Sequence, residues 1–351
     1  MARKISFFIG SMHGGGAERV ISILANNYCK NGWNVDIVLL LSNKIGYELD
    51  KRINIVDLSQ SKGSYYKRLP NWLKKIRSYV KTEKPERIVS FIGRINILVL
   101  TACLGLKVPI IVSERNDPKR DGRGKLMLNY CNLIYKKAKA VVYQTNYEKS
   151  CFSNKLKNGV IIANPVSVSV HPKSLDSPYE IVTAGRLQPQ KNHKMLIEAV
   201  SEVIKEYHDV TLKIYGDGYL KDQLQKQIND LQVAENIELC GNVSDLHERI
   251  NGTCIFVMCS EFEGLSNALI EAMMLGIVCI STDYPGADEV IVHGNNGLIV
   301  KCDDANGLSK AIKQVLSDKE LRNRLSVNAI EASMKYSESR VIELWKDVIN
   351  S

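Results

Sequence analysis

Short apolar runs and stretches of helical periodicity alternate along most of this 351-residue chain. Residues 4–9, Lys-Ile-Ser-Phe-Phe-Ile, are too short for a buried helix and rich in β-formers, so they read as a first strand. Residues 17–26 repeat their apolar positions every three to four and read as a helix. The same signals predict strands over residues 35–41, 53–57, 87–92, 108–113, 140–145 and 160–163. Asn164-Pro165-Val166 then breaks the pattern, and the polar segment reaching Pro178 reads as a linker. Beyond it, strands are expected over residues 181–185, 212–218, 237–241, 254–259 and 277–281. Helices are expected over residues 195–200 and 268–275, twice between 308 and 333, and last over 337–349, where Val341, Leu344, Trp345 and Val348 share a stripe. Strand–helix alternation on both sides of one break predicts two α/β domains, residues 1–168 and 169–336.

Chemistry concentrates first in Glu261-Phe-Glu-Gly-Leu-Ser-Asn-Ala-Leu-Ile-Glu271, a turn between a strand and a helix. Gly264 permits the turn, Leu265 follows it, and Ser266 or Asn267 can cap. The backbone N–H groups and dipole of such a helix start favour a phosphate. Glu263 precedes that position, and Glu271, four residues after Asn267, returns to the same helix face. Carboxylates beside a diphosphate are electrostatically awkward unless other ligand groups donate to them, and sugar hydroxyls are suitable donors. The competing reading makes Glu263 a solvated loop acid and Glu271 an ordinary helix residue.

Three other strand ends carry candidates. Gly10-Ser-Met-His-Gly-Gly-Gly16 leads from the first strand to the first helix, with His13 either a ligand contact or an incidental surface residue. Residues 181–192 end in Gly185-Arg186-Leu-Gln-Pro-Gln-Lys191-Asn192, where a guanidinium fork and a mobile ammonium together suit a diphosphate. Gly216, in Tyr-Gly-Asp-Gly218, marks a turn at a strand end. Glu114-Arg115-Asn116 follows the strand ending at Ser113, where open α/β sheets take ligands. Residues 242–247 lie where a base could be bordered.

In this combination the chain resembles the retaining, nucleotide-sugar-dependent glycosyltransferases of the GT-B fold and family 4 type, which build bacterial lipid-linked, capsular and O-antigen saccharides. The resemblance rests on Glu263-x7-Glu271, on Gly185-Arg186-Leu-x-x-x-Lys191-Asn192 and on Gly15-Gly16-Ala-Glu18-Arg19. It implies two Rossmann-like domains facing a cleft, with the last helix packing back on the first. It further implies a donor site of Gly15, Gly16, Gly185, Arg186, Lys191, Gly216, Gly264, Leu265, Ser266, Asn267 and Glu271. In that site Arg186 and Lys191 hold the diphosphate, Glu271 the ribose, and Glu263 the sugar. Glu263, Arg186 and Lys191 are the expected catalytic residues. His13, Glu114, Arg115 and Asn116 are the expected acceptor contacts, since Ser113-Glu-Arg-Asn116 is similar to a variant in lipid-linked saccharide transferases. A His near this run in other branches is missing here. No metal or other cofactor is expected.

Charge divides the chain. Residues 1–170 hold 29 Lys and Arg against 11 Asp and Glu, and residues 171–351 hold 18 against 27. A basic half suits nucleic acid, anionic lipid or a diphosphate-linked substrate. Trp72, Leu73, Ile76, Tyr79 and Val80 recur at near-helical spacing, with Lys74, Lys75, Arg77 and Lys81 elsewhere around the helix. That pattern fits a helix on an anionic membrane or one packed on the sheet, and Lys62, Lys67, Arg68, Lys119, Arg120, Arg123 and Lys125 add to the same half. Nine cysteines, an odd number without a Cys-x-x-Cys pair, suit buried thiols in a reducing compartment. No apolar run suggests a signal peptide or a membrane span, so a cytoplasmic protein, peripheral on the inner face of the membrane, is expected.

The expected function is transfer of a hexose or N-acetylhexosamine from a UDP-sugar to a polyprenyl-diphosphate-linked saccharide, with no nucleic acid as partner. A nucleotide-sugar epimerase of similar fold is one rival. A non-catalytic binder of anionic surfaces is the other, but it leaves Arg186, Lys191, Glu263 and Glu271 without a role.

Overall fold

The computed structural model describes residues 3–59, 65–119, 121–173 and 177–351, without the side chains of residues 65–67 and 177–178. Lys62, Arg120 and the Lys67 side chain lie outside the described residues, as do residues 174–176 of the expected linker. Two compact units are present: residues 1–165 with 341–351, and residues 166–340.

The first unit runs β1 (Lys4–Ile9), α1 (Gly16–Lys30), β2 (Asn34–Leu39), β3 (Asn54–Asp57), α2 (Tyr65–Glu83), β4 (Arg87–Phe91), α3 (Gly93–Ala102), β5 (Ile110–Ser113), α4 (Gly124–Ile134), β6 (Ala140–Tyr143), α5 (Asn146–Ser150) and β7 (Gly159–Ile161). Its seven strands are all parallel, in the order β3-β2-β1-β4-β5-β6-β7. The chain moves outward from β1 and then returns to its other side with β4. That reversal opens a crevice between the carboxyl ends of β1 and β4.

The second unit runs β8 (Ser177–Ala184), α6 (His193–Ile204), β9 (Thr211–Tyr215), α7 (Lys221–Asp230), β10 (Ile237–Gly241), α8 (Leu246–Ile250), β11 (Thr253–Met258), α9 (Asn267–Met274), β12 (Val278–Thr282), β13 (Leu298–Val300), α10 (Ala305–Ser317) and α11 (Lys319–Ser333). Its six parallel strands take the order β10-β9-β8-β11-β12-β13, with the reversal between β8 and β11. Both units are therefore Rossmann-like, and the loops after β8 and β11 meet at a switch point.

Strands buried on both faces explain the continuous apolar runs. One face of the first sheet packs on α1, and the other on α2, α3 and α4. The last helix, α12 (Glu338–Asn350), contributes Val341, Trp345 and Ile349 to the α1 side. Trp345 stacks on Phe91 at 5.5 Å between ring centroids.

The structure decides between the two readings of α2. Trp72, Ile76, Tyr79 and Val80 are buried in the sheet-facing core. Arg77 donates to the carbonyls of Ala102 and Leu104, each at 2.8 Å. This apolar stripe is thus spent on packing, the second of the two readings that the pattern left open. Helices α3 and α4 have no counterpart in the elements read from the pattern, because their apolar residues run nearly all round or face outward.

Candidate active site

Loop 185–192 is shaped by close backbone contact. Gly216, at φ +132°, would place a Cβ 2.0 Å from the carbonyl oxygen of Gly185, so no other residue fits without moving that strand end. A Cβ on Gly185 would meet the Lys191 side chain at 3.2 Å. The Leu187 N–H donates to the Asp217 carbonyl at 2.9 Å, tying the loop to the end of β9. On its other side, Glu261 N–H donates to the Gln190 carbonyl at 2.9 Å and Gln190 Nε2 to the Phe262 carbonyl at 2.6 Å. The loops after β8 and β11 are thereby strapped together across the switch point.

That strapping brings Lys191 to Glu263, 72 residues away. Lys191 Nζ donates to Glu263 Oε1 at 2.5 Å, and the Ser260 hydroxyl donates to the same oxygen at 2.7 Å. The two side chains are 15% and 13% exposed, so the pair is sheltered yet reachable. Arg186 is exposed, and no described carboxylate pairs with it. A cationic fork, a mobile ammonium and a carboxylate with one oxygen occupied can together hold an anion and receive hydroxyl donors.

Helix α9 begins beside them. Ser266 is its N-cap, accepting the Leu269 N–H at 3.4 Å, while Gly264 and buried Leu265 form the approach. Glu271, one turn in, is buried, and its Oε2 lies 3.4 Å from His247 Nε2. The backbone N–H of Ser169 donates to His247 Nδ1 at 3.1 Å, which leaves the ring proton on Nε2, facing the carboxylate. The sequence reading placed residues 242–247 near a ligand without singling out His247. Its partner lies on α9, 24 positions on, so spacing alone carried no signal.

His193 is a second residue that the sequence did not disclose. It opens α6 directly after the Lys191-Asn192 pair and is buried against the Gly185–Arg186 backbone. Burial, reinforced by Lys191, pushes its imidazole down to about 4, so the ring is neutral at physiological pH.

In the first unit, the glycine loop after β1 is exposed at His13, Gly14, Gly15 and Gly16. The Tyr47 hydroxyl holds it, accepting from Gly15 N–H at 3.1 Å and donating to Gly15 O at 2.8 Å. Across the switch point, Ile92 follows β4 at φ +74° and ψ 126°, a strained conformation for a β-branched residue. Its N–H donates to the Ser113 carbonyl at 3.0 Å and Asn96 Nδ2 to the same oxygen at 2.9 Å.

The run after β5 departs from expectation. Glu114 is wholly buried and accepts two bonds from Arg123, at 2.9 and 2.6 Å, and another from the Tyr135 hydroxyl. Arg115 is also buried, donating to Ser113 Oγ and Asn164 Oδ1, each at 2.7 Å, over the Phe91 and Trp345 rings. Burial lowers its pKa to about 10, against the opposing charge of Glu148. Both side chains brace the loop from within and are not presented to a ligand, which corrects their expected acceptor contacts. Asn116 alone of the three is exposed.

Residues 170–332, which carry every second-unit residue above except Ser169, match the family model described as glycosyl transferases group 1. Over its whole length the chain is 28% identical to the Campylobacter jejuni GalNAc-alpha-(1->4)-GalNAc-alpha-(1->3)-diNAcBac-PP-undecaprenol alpha-1,4-N-acetyl-D-galactosaminyltransferase, covering 99% of this chain and 98% of that protein. It is also 28% identical to the N-acetylgalactosamine-N,N'-diacetylbacillosaminyl-diphospho-undecaprenol 4-alpha-N-acetylgalactosaminyltransferase of the same organism, over 91% and 92% of the two chains. The crystal structure of Anabaena Alr3699/HepE in complex with UDP superimposes with a TM-score of 0.83 at 17% identity, covering 99% of each chain. That likeness extends the shared fold to both units. The strapped loops and the capped helix thus lie within the residues that match the family model, on a fold shared with that structure.

Proposed function

We propose that the protein is a retaining glycosyltransferase that moves a hexose or N-acetylhexosamine from a UDP-sugar to a hydroxyl of a polyprenyl-diphosphate-linked saccharide. The observation that carries this reading is the Lys191–Glu263 pair, with exposed Arg186 beside it, at the switch point of the unit whose residues 170–332 match the group 1 glycosyltransferase model. The two Campylobacter relatives, whose names specify undecaprenol-diphosphate acceptors and N-acetylgalactosamine, support the substrate class.

In this reading the donor diphosphate draws the Lys191 ammonium from Glu263 and meets the Arg186 fork and the α9 start at Ser266 and Asn267. Negative charge grows on the diphosphate as the glycosidic bond breaks, so these groups stabilise the transition state more than the ground state. Glu263, released from Lys191 but still held by Ser260, accepts sugar hydroxyls and favours the developing oxocarbenium charge. Glu271, fixed by His247, accepts from the ribose. The acceptor hydroxyl attacks the face that the diphosphate leaves, and its proton passes to the departing phosphate, so no separate base is assigned. Arg186 and Lys191 supply the counter-charge that a divalent ion provides elsewhere. His13 and Asn116 are the acceptor contacts assigned to the first unit. Among the described residues no helix is long and apolar enough to cross a membrane, and a peripheral position at the inner membrane face is part of the proposal.

The test is a thermal-shift screen against UDP-, GDP- and ADP-sugars, followed by mass spectrometry with a polyprenyl-diphosphate saccharide in detergent. Stabilisation by UDP-sugars, lost in Lys191→Ala, and an acceptor-dependent gain of one hexose or N-acetylhexosamine are expected, with the anomeric coupling unchanged by NMR. Donor turnover without acceptor would point instead to an epimerase. No nucleotide binding at all would end the enzyme reading.

A further inference from the structure

Helix α4 packs one side into the first unit through Cys131 and Ile134 and turns an apolar line outward. On that line Leu126 is 87% exposed, Leu133 62% and Tyr130 36%. Steps of four and three residues place them along one edge of the helix. A single exposed leucine is ordinary, but three large apolar groups in a row form a surface. Leu104, exposed just beyond α3, lies on the neighbouring segment, and α3 reaches Tyr130 through a 3.1 Å contact between the Thr101 and Tyr130 hydroxyls.

Along α4 and just past its end the charges have one sign. From Gly122 to Tyr147 the chain contains no Asp or Glu. Lys125 at the start of α4, and Lys136 and Lys137 just past its end, are exposed. The helix is also rigidly mounted: Arg123, the residue before it, is held by Glu114 and Asp121, and by a 3.1 Å bond from its own N–H to the Asp121 carboxylate.

We infer that this face of α4 rests on an anionic lipid surface, with Leu126, Tyr130 and Leu133 entering the headgroup region and Lys125, Lys136 and Lys137 meeting lipid phosphates. An apolar line bounded by lysines and free of carboxylates is the complement of such a surface. A second copy is disfavoured as occupant, because a symmetric contact would set these lysines against their own counterparts. The inference rests on the proposed lipid-linked acceptor for its purpose, and it moves the membrane face from α2, whose apolar residues are buried, to α4. Since α4 starts from the loop that exposes Asn116, lipid docking would hold that acceptor run near the bilayer.

The experiment is co-sedimentation of the full chain with sucrose-loaded vesicles of phosphatidylglycerol and phosphatidylcholine, compared with phosphatidylcholine alone. Wild type should pellet with the anionic vesicles and lose about tenfold in binding at high salt. The double variant Leu126→Ser/Leu133→Ser should bind about tenfold less while keeping its melting temperature, because neither side chain is in the core. The triple variant Lys125→Glu/Lys136→Glu/Lys137→Glu should lose the anionic preference. Wild type remaining in the supernatant, the serine variant pelleting normally, or the serine variant instead converting a dimer to a monomer would each overturn the inference. Transfer to a detergent-soluble acceptor, run in parallel, separates the two readings. Its persistence in the serine variant with vesicle binding lost supports docking, whereas its absence in wild type counts against the transferase alone.

Discussion

At the carboxyl edge of the second sheet, Lys191 and Glu263 pair within reach of solvent, whereas after β5 of the first sheet Glu114 and Arg123 are 0% and 2% exposed and locked among Asp121 and Tyr135. Both arrangements join a loop acid to a distant or local cation at a strand end, the place where α/β proteins bind ligands. The difference lies in what desolvation permits. A buried pair has lost its water and cannot be separated without leaving an uncompensated charge, so it acts as a structural clamp. A half-sheltered pair can exchange one partner for a ligand at modest cost, so it can act as a site.

Breaking each pair sharpens this contrast. The largest effect is expected from Arg123→Ala, which strands Glu114 in the interior. Urea unfolding should show a loss of about 3–5 kcal/mol in the first unit's transition. Lys191→Ala should lower transfer by about 10²–10³-fold while costing on the order of 1 kcal/mol of stability. The comparison collapses if Lys191→Ala unfolds the second unit, or if Arg123→Ala abolishes transfer in a fully stable protein.

Proton linkage at His193 gives the next effect. The folded imidazole titrates near pH 4 against an ordinary value of 6.5, so the fold excludes its charged form. The neutral ring's contribution is therefore complete above pH 6.5 and is lost as pH falls toward 4, with a ceiling of about 3 kcal/mol. His193→Gln should melt with a shallower acid-side slope over that window and match wild type above it only in the shape of its profile. An unchanged slope would remove His193 from the account of the site's stability. The smallest effect belongs to Ser266→Ala, which deletes the α9 cap and should cost about 1 kcal/mol in thermal unfolding. A parallel rise in the Kd for UDP-sugar would tie the cap to donor binding.

The two parallel sheets were legible because strands covered on both faces leave continuous apolar runs between helical periods, and those runs survive in one dimension. The loops at strand ends were legible for the same reason, as were Gly185, Arg186 and Lys191 within a single loop. Their connection to Glu263 was not, since the bonds of Gln190 to Glu261 and Phe262 that strap the loops join positions about 70 residues apart. His247 stayed hidden because its role depends on Ser169 and Glu271 from two other segments.

Orientation is what the linear pattern could not supply. Trp72, Ile76, Tyr79 and Val80 describe an amphipathic helix equally well whether a sheet or a membrane lies beneath it, and the sheet took that face. Leu126, Tyr130 and Leu133 look like core residues by type but were left outside. The sequence by itself determined which elements form and where polar chemistry gathers, because propensity and turn geometry act over a few residues. Tertiary structure alone decided which charges are sealed and which are reachable, because desolvation depends on every element packed around a group and not on its neighbours in the chain.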